Sequence, residues 1–335
     1  MVRKIILILG MHRCGTSAVG GAVAKLGAAL PQRLLGAGRS NPKGHFEGRQ
    51  IVWLNDQILR QLGSSWDDPR AISREVFAGP AFDLTVDLAV SCIESEFEGD
   101  PSLMVIKDPR ICRLAPIWIE AAKRLGAEPH VFYPYRAPSE VASSLLRRDG
   151  QDPALALALW ARYVLDAEYH SRGTRRAFFD ADDFVRDPAS VLRLAGEAAG
   201  VAWPVEDAEI ETVLGDFVEP ALLSKTAGGG PSAAGMPETV YEKLARFGSD
   251  PDDREAMAAF DALRRPREPG PASTVPRPQM RRKYSRPSVL TLRSQQMLLR
   301  LCRRRSFLPE ELRGKIGRFA IKRMLRKVWE RQRMA

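Results

Sequence analysis

A short apolar run over residues 4–9 passes without a break into Gly10-Met-His-Arg-Cys-Gly15-Thr16-Ser17, and no other feature limits the possible folds of this 335-residue chain as strongly. Residues 4–9 read as a strand, and residues 17–26 carry one apolar face at helical period. A strand that turns through glycines into a helix opens a βαβ unit, whose crossover requires a parallel sheet. Three more β-rich runs, at 103–106, 130–135 and 176–179, alternate with helical patterns at 51–62, 83–97, 116–125, 139–146, 153–170 and 182–199. The expected fold class is α/β: a three-layer sandwich with a mostly parallel sheet, a P-loop-like turn and a basic helical C-terminal extension.

Past residue 225 the character changes. Gly228-Gly229-Gly230-Pro231 and later Pro-Gly-Pro text mark 226–280 as a Pro/Gly-rich, partly flexible linker, with candidate helices at 237–246 and 252–263. Residues 281–335 hold 18 of the 51 Lys and Arg but 3 of the 41 Asp and Glu, so the net charge of +10 describes this tail and the body is mildly acidic. Within it, Phe319, Ile321, Met324, Leu325 and Val328 lie among lysines and arginines as in a basic amphipathic helix. The expected domains are 1–225 (catalytic α/β), 226–280 (linker) and 281–335 (basic tail).

Cys14, Cys92, Cys112 and Cys302 lie far apart without metal-ligand spacing, which supports neither a disulfide framework nor a zinc site. The first residues are too short for a signal segment, and no stretch approaches the roughly 20 apolar residues of a spanning helix. A cytoplasmic location is expected, with peripheral attachment at the inner membrane surface left open. The tail suits an anionic membrane, an acidic polymer or a solvated helix. Nucleic acid ranks below these, because the tail has little aromatic interleaving and no zinc-finger or RNA-recognition signature.

The turn Gly10–Ser17 has the G-x-x-x-x-G spacing of a P-loop feeding a helix N-terminus, which favours an anion. Thr16 occupies the Walker lysine position and the cation sits earlier, at Arg13, which disfavours magnesium-dependent triphosphate hydrolysis. A second basic site follows the third strand, where Arg136 stands at the strand's carboxyl end and Ser144 lies eight residues later in the next helix.

This loop resembles the 5′-phosphosulfate loop of sulfotransferases that use 3′-phosphoadenosine-5′-phosphosulfate (PAPS), especially the bacterial branch reading roughly G-x-H-R-S-G-T-S, with Cys14 in place of the usual serine. The likeness extends to Arg136 and Ser144, which match the family's 3′-phosphate pair in spacing. It also includes Asn41-Pro-Lys-Gly-His-Phe-Glu47, Ile106-Lys-Asp-Pro-Arg110 and Asp182-Asp-Phe-Val-Arg-Asp-Pro188, covering about residues 3–200. In the last of these, Asp182 or Asp183 is expected to cap a helix.

The resemblance implies PAPS as sulfuryl donor, without a metal, and an acceptor hydroxyl or amine, with carbohydrate or glycolipid as the acceptor by analogy. It assigns Arg13, Cys14, Gly15, Thr16 and Ser17 to the phosphosulfate and Arg136 and Ser144 to the 3′-phosphate. Arg13 is the candidate for stabilising charge on the leaving oxygen, and Lys107 for contacting the sulfuryl group. The family's histidine of a K-x-H motif is missing, because Lys107 is followed by Asp108 and Pro109. Glu47 is therefore the preferred base and His45 its competitor, while His12 reads as a loop-shaping residue. The Arg-Lys-Gly segment of cytosolic members is not found. Two other readings stay open: a kinase-like nucleotide-binding protein, and a non-catalytic protein acting through its basic tail.

Overall fold

The computed structural model describes residues 2–38, 41, 43–215, 217–218, 232–233 and 235–264. Four strands, β1 (Arg3–Ile8), β2 (Leu103–Lys107), β3 (Ala127–Tyr135) and β4 (Arg175–Asp180), form one sheet in the order β2-β1-β3-β4. All three pairings are parallel, with Ile8 beside both Lys107 and Phe132, and Tyr135 beside Asp180. The chain leaves β1 for one neighbour and later returns to place β3 on its other side. The carboxyl ends of β1, β2 and β3 thus share one edge, at the point where the strand order reverses and ligands gather in open α/β sheets.

Residue alternation along the strands divides the core in two. Ile5 and Leu7 of β1, Met104 and Ile106 of β2, Val131 and Tyr133 of β3, and Phe178 of β4 face one helical layer. That layer is built from α2 (Arg49–Gln61), α3 (Gly79–Glu96), α4 (Ile111–Arg124), α5 (Pro138–Asp149) and α6 (Pro153–Ser171). Ile6, Ile8, Leu103, Val105, Phe132, Ala177 and Phe179 face the other, made by α1 (Thr16–Lys25), α7 (Ala181–Arg186), α8 (Pro188–Ala199) and α9 (Ile210–Gly215). The mostly parallel sheet of the expectation is fully parallel.

Three local expectations need correction. The helix expected over 182–199 is two helices, because Asp187 caps α8 by accepting from Ser190 N at 3.0 Å and Pro188 occupies its first position. The cap of α7 is Asp180, which accepts from Asp182 N at 2.7 Å, and Asp182 and Asp183 sit inside the first turn. The helix expected to start at Pro116 begins at Ile111, wound up by turn bonds such as Ile111 N to Asp108 O at 2.9 Å.

Beyond residue 225, where a linker is expected, two helices pack on the body. Helices α10 (Met236–Ser249) and α11 (Arg254–Arg264) return to the first layer, burying Val240, Leu244, Phe247, Ala256 and Phe260. Phe247 stacks on Phe178 of β4 with ring centroids 5.1 Å apart, and Arg172 holds Asp261 at 3.0 Å. A Pro/Gly-rich composition announces a linker, but these helices carry an apolar stripe that the body covers. The stretch 265–335, including the proposed basic helix, lies outside the described residues. Among the described residues no helix is long and apolar enough to cross a membrane.

At the end of α6, His170 packs edge-on against Phe77 at 5.0 Å. Burial, reinforced by the charges of Arg264, Arg74 and Arg113 and opposed by Asp166, lowers its pKa to about 4. The unfolded chain therefore binds the extra proton first, so the neutral ring's contribution is full above pH 6.5 and is lost as pH falls toward 4. Wild type is expected to lose about 2 kcal/mol more stability between pH 7 and pH 5 than His170→Phe, read from urea unfolding at both pH values. Equal losses in the two proteins would refute this.

Candidate active site

The loop after β1 owes its shape to two left-handed residues and one missing side chain. Gly15 has φ 76° and Arg13 has φ 73°, the latter uncommon for a residue with a side chain. Such alternation of backbone hand builds anion-binding concavities. At Gly10 a Cβ would stand 2.6 Å from Thr16 Cγ2 and 2.9 Å from Pro134 O, so close packing of the loop on β3 needs glycine there.

Cys14 lies beneath this loop. Its N–H closes a turn on Met11 O at 3.1 Å, its side chain is in the core, and burial pushes the thiol up to about 12. Thr16 is also buried, its methyl lying close against Gly10. Ser17 faces a different group: its Oγ accepts from Lys107 Nζ at 2.9 Å and donates to His45 O at 3.4 Å.

Arg13 reaches across to α5, where its Nε donates to Ser144 Oγ at 2.8 Å. The two basic sites of the sequence, 131 residues apart, thus meet through a direct side-chain hydrogen bond. Arg136 follows β3 directly, buried, with its guanidinium 2.5 Å from Glu140 and its carbonyl accepting from Trp160 Nε1 at 3.1 Å. Burial and the neighbouring charges of Arg148, Arg136 and Arg147 lower the pKa of Arg13 from its ordinary value. Positive charge is concentrated at this sheet edge, which favours an approaching anion.

Lys107, at the carboxyl end of β2, is 2% exposed and donates to Ser17 Oγ at 2.9 Å, His45 O at 3.1 Å and Glu47 Oε1 at 2.6 Å. An ammonium group has three donors, and these bonds occupy all three. Its partner is Glu47, also buried, and not the adjacent Asp108. Asp108 is held instead by Asn55 Nδ2 at 2.8 Å and Arg110 Nη1 at 2.9 Å, and Asn55 in turn accepts from Trp118 Nε1 at 2.8 Å. The loop after β2 is thereby locked, which fixes where Lys107 points.

His45 is partly exposed next to this pair, and its pKa is lowered chiefly by burial, with Lys107, Arg148 and Arg13 adding to the effect and Glu47 opposing it. His12 packs edge-on against Trp66 at 4.9 Å, and its Nε2 is buried with no hydrogen-bond partner among the described residues. Burial, with Arg110, Arg148, Lys107 and Arg13 nearby, holds its pKa well below the ordinary value, so it is a neutral ring.

Ser17, His45, Glu47 and Lys107 thus form one cluster, and Arg13 and Ser144 another contact at the same edge. The residues missed in the sequence are Asn55 and Trp66. Trp66 is only partly buried, although its carbonyl is anchored by Tyr163 Oη at 2.7 Å. A lone tryptophan in the polar turn Gly63-Ser-Ser-Trp-Asp-Asp-Pro is a signal that could have flagged it. Nothing in sequence marks Asn55, which sits on α2 among residues of similar period.

No family model matches the chain, and no curated protein matches it. Among solved structures it is similar to the sulfotransferase domain of the Synechococcus PCC 7002 olefin synthase, at 17% identity over 72% of this chain and 96% of that one, with a TM-score of 0.43. It is similar to the sulfotransferase domain of the curacin biosynthetic pathway at 16% identity over 72% and 98% of the two chains, also with a TM-score of 0.43. Sulfotransferase STF9 from Mycobacterium avium aligns at 14% identity over 78% of this chain and 76% of its own, with a TM-score of 0.44.

Proposed function

We propose that this chain moves a sulfuryl group from PAPS to an acceptor hydroxyl or amine by in-line displacement. The observation that carries the reading is the hydrogen bond from Arg13 to Ser144, which brings the loop after β1 and the Arg136/Ser144 segment together at one sheet edge. A donor phosphorylated at both its 3′ and 5′ ends needs two such anion sites within reach of each other, whereas ATP and GTP do not. The residues present fit such a donor: a loop with two left-handed positions, the Arg13 and Arg136 cations, and the Ser144 hydroxyl.

Bound PAPS supplies an activated sulfuryl group whose transfer leaves negative charge on the 5′-phosphate. Arg13 stabilises that charge by hydrogen bonding and field, without giving up its proton. Glu47, or His45 beside it, takes the proton from the attacking acceptor oxygen or nitrogen. Lys107 holds both, through the carboxylate of one and the carbonyl of the other. Because its three donors are already engaged, contact with the sulfuryl oxygens would require it to release one, so we assign it to positioning. Cys14 supports the loop from the core and Thr16 packs on Gly10, while Ser17 connects the loop to the Lys107 cluster.

Trp66, half-buried next to His12 with Arg148 over its ring at 5.8 Å, is an aromatic residue at this edge, so carbohydrate and glycolipid hydroxyls are the first acceptors to test. Calorimetry with adenosine 3′,5′-bisphosphate and with ATP plus magnesium separates the transferase from a kinase-like protein. The bisphosphate is expected to bind at least tenfold more tightly. Labelled PAPS incubated with glycans, glycolipids and phenols is expected to pass label to one class. Tighter ATP binding, or no transfer to any class, would overturn the reading.

A further inference from the structure

We infer that Phe46, Phe217 and Gly21 of α1 form an aromatic strap that positions Glu47 and His45 on Lys107. The inference rests on reading this cluster as the proton-accepting side of the transfer site, but holds whichever of the two is the base.

Phe46 lies between His45 and Glu47 and has φ 54°, a left-handed conformation that is an outlier for a bulky side chain. On either side of this left-handed residue, the His45 carbonyl and the Glu47 carboxylate both meet the same ammonium, at 3.1 and 2.6 Å. Such a backbone persists only where its surroundings over-determine it.

The surroundings are aromatic. The Phe46 ring meets Phe217 nearly at right angles, with centroids 6.0 Å apart. Lys43 also holds Phe217: its Nζ donates to Phe217 O at 2.7 Å and stands 5.3 Å from the ring centroid. Both rings lie on α1 where it carries Gly20-Gly21, a pair that weakens a helix and needs a reason. At Gly21 a Cβ would stand 2.2 Å from Phe217 Cζ and 2.8 Å from Phe46 Cζ, and at Gly20 it would stand 3.5 Å from Phe46 Cβ. Gly21 makes room for the strap, whereas a Cβ at Gly20 would make only an ordinary contact.

Packing for stability alone would also place two rings on a helix, so the test must read the position of Lys107 and not only the fold. Gly21→Ala pushes on both rings from a site that touches no reacting group. It is expected to lower kcat about a hundredfold, as misplacement of a reacting group by about 1 Å does. Affinity for adenosine 3′,5′-bisphosphate should stay within about twofold, since Arg13, Arg136 and Ser144 are untouched. Lys107, 2% exposed in wild type, should react at least about tenfold faster with an amine-acylating reagent, read by mass spectrometry of the native protein. In a Phe217→Leu background, where the nearest clash is gone, Gly21→Ala should cost much less, and the non-additivity reports the contact.

If Gly21→Ala does not fold, Phe46→Ala removes the ring without adding bulk and is expected to give the same kcat loss and Lys107 reactivity. Unchanged Lys107 reactivity, or a kcat loss that tracks the urea midpoint, would refute the strap. If wild type transfers no sulfuryl group, the proposed function fails, while Lys107 protection still decides for or against the strap.

Discussion

Arg13→Gly is expected to leave the protein folded and at least as stable as wild type while lowering sulfuryl transfer about a thousandfold. The two halves of this expectation have different causes. Arg13 has φ 73°, and a left-handed residue with a side chain carries strain of about 1–3 kcal/mol that glycine does not. The side chain donates to Ser144 and stands among Arg136, Arg147 and Arg148, whose charges disfavour its own, while Asp149 opposes them. Relief of the left-handed backbone is expected to match or exceed what these side-chain contacts give. Catalysis suffers in proportion to the charge Arg13 faces in the transition state, where loss of one fixed donor costs about 10² to 10³ in kcat. Arg13→Lys keeps the charge but not the planar fork, and should fall between the two. Single-turnover transfer and urea unfolding check both halves. Loss of stability in Arg13→Gly, or activity within tenfold of wild type, would count against the assignment.

Lys107→Met is expected to cost about 3 kcal/mol of stability and to remove measurable transfer. It leaves Glu47 buried without its counter-charge, and breaking a buried ion pair from one side is strongly destabilising. It also withdraws donors from Ser17 and from the His45 carbonyl, so the segment 45–47 loses its anchor. The double variant Lys107→Met/Glu47→Gln should regain most of the stability, because no lone charge stays buried, but none of the activity. Stability by urea unfolding and label transfer separate these effects. A single variant that loses less than about 1 kcal/mol would mean that the pair does not hold the site together, and an active double variant would remove both residues from the mechanism.

The element order over residues 3–200 was legible because strand alternation and helical period are local properties. Ile5 and Leu7 face one layer and Ile6 and Ile8 the other, as a two-residue period requires. Where the sequence misled, competing local signals were present. Asp187-Pro188 is both a continuation of a helical pattern and a cap with its first residue, and the structure follows the cap. The packing of α10 and α11 was masked by the Pro- and Gly-rich text around them, which describes the connections and not the helices.

The candidate residues were found by type and spacing, but their pairings were not. Lys107 has an aspartate next to it in sequence, and only the fold shows that Asp108 is taken by Asn55 and Arg110, leaving Lys107 to Glu47, 60 residues away.

By itself the sequence determined the parallel α/β order, the glycine turn after the first strand and the places where cations must lie, since each depends on residues within a few positions of one another. Only the tertiary structure decided that Arg13 meets Ser144, that Glu47 meets Lys107, and that Phe46 takes a left-handed backbone between two candidate bases. Those facts depend on which strand ends share an edge, and sheet order is set by the packing of both helical layers together, which no local period records.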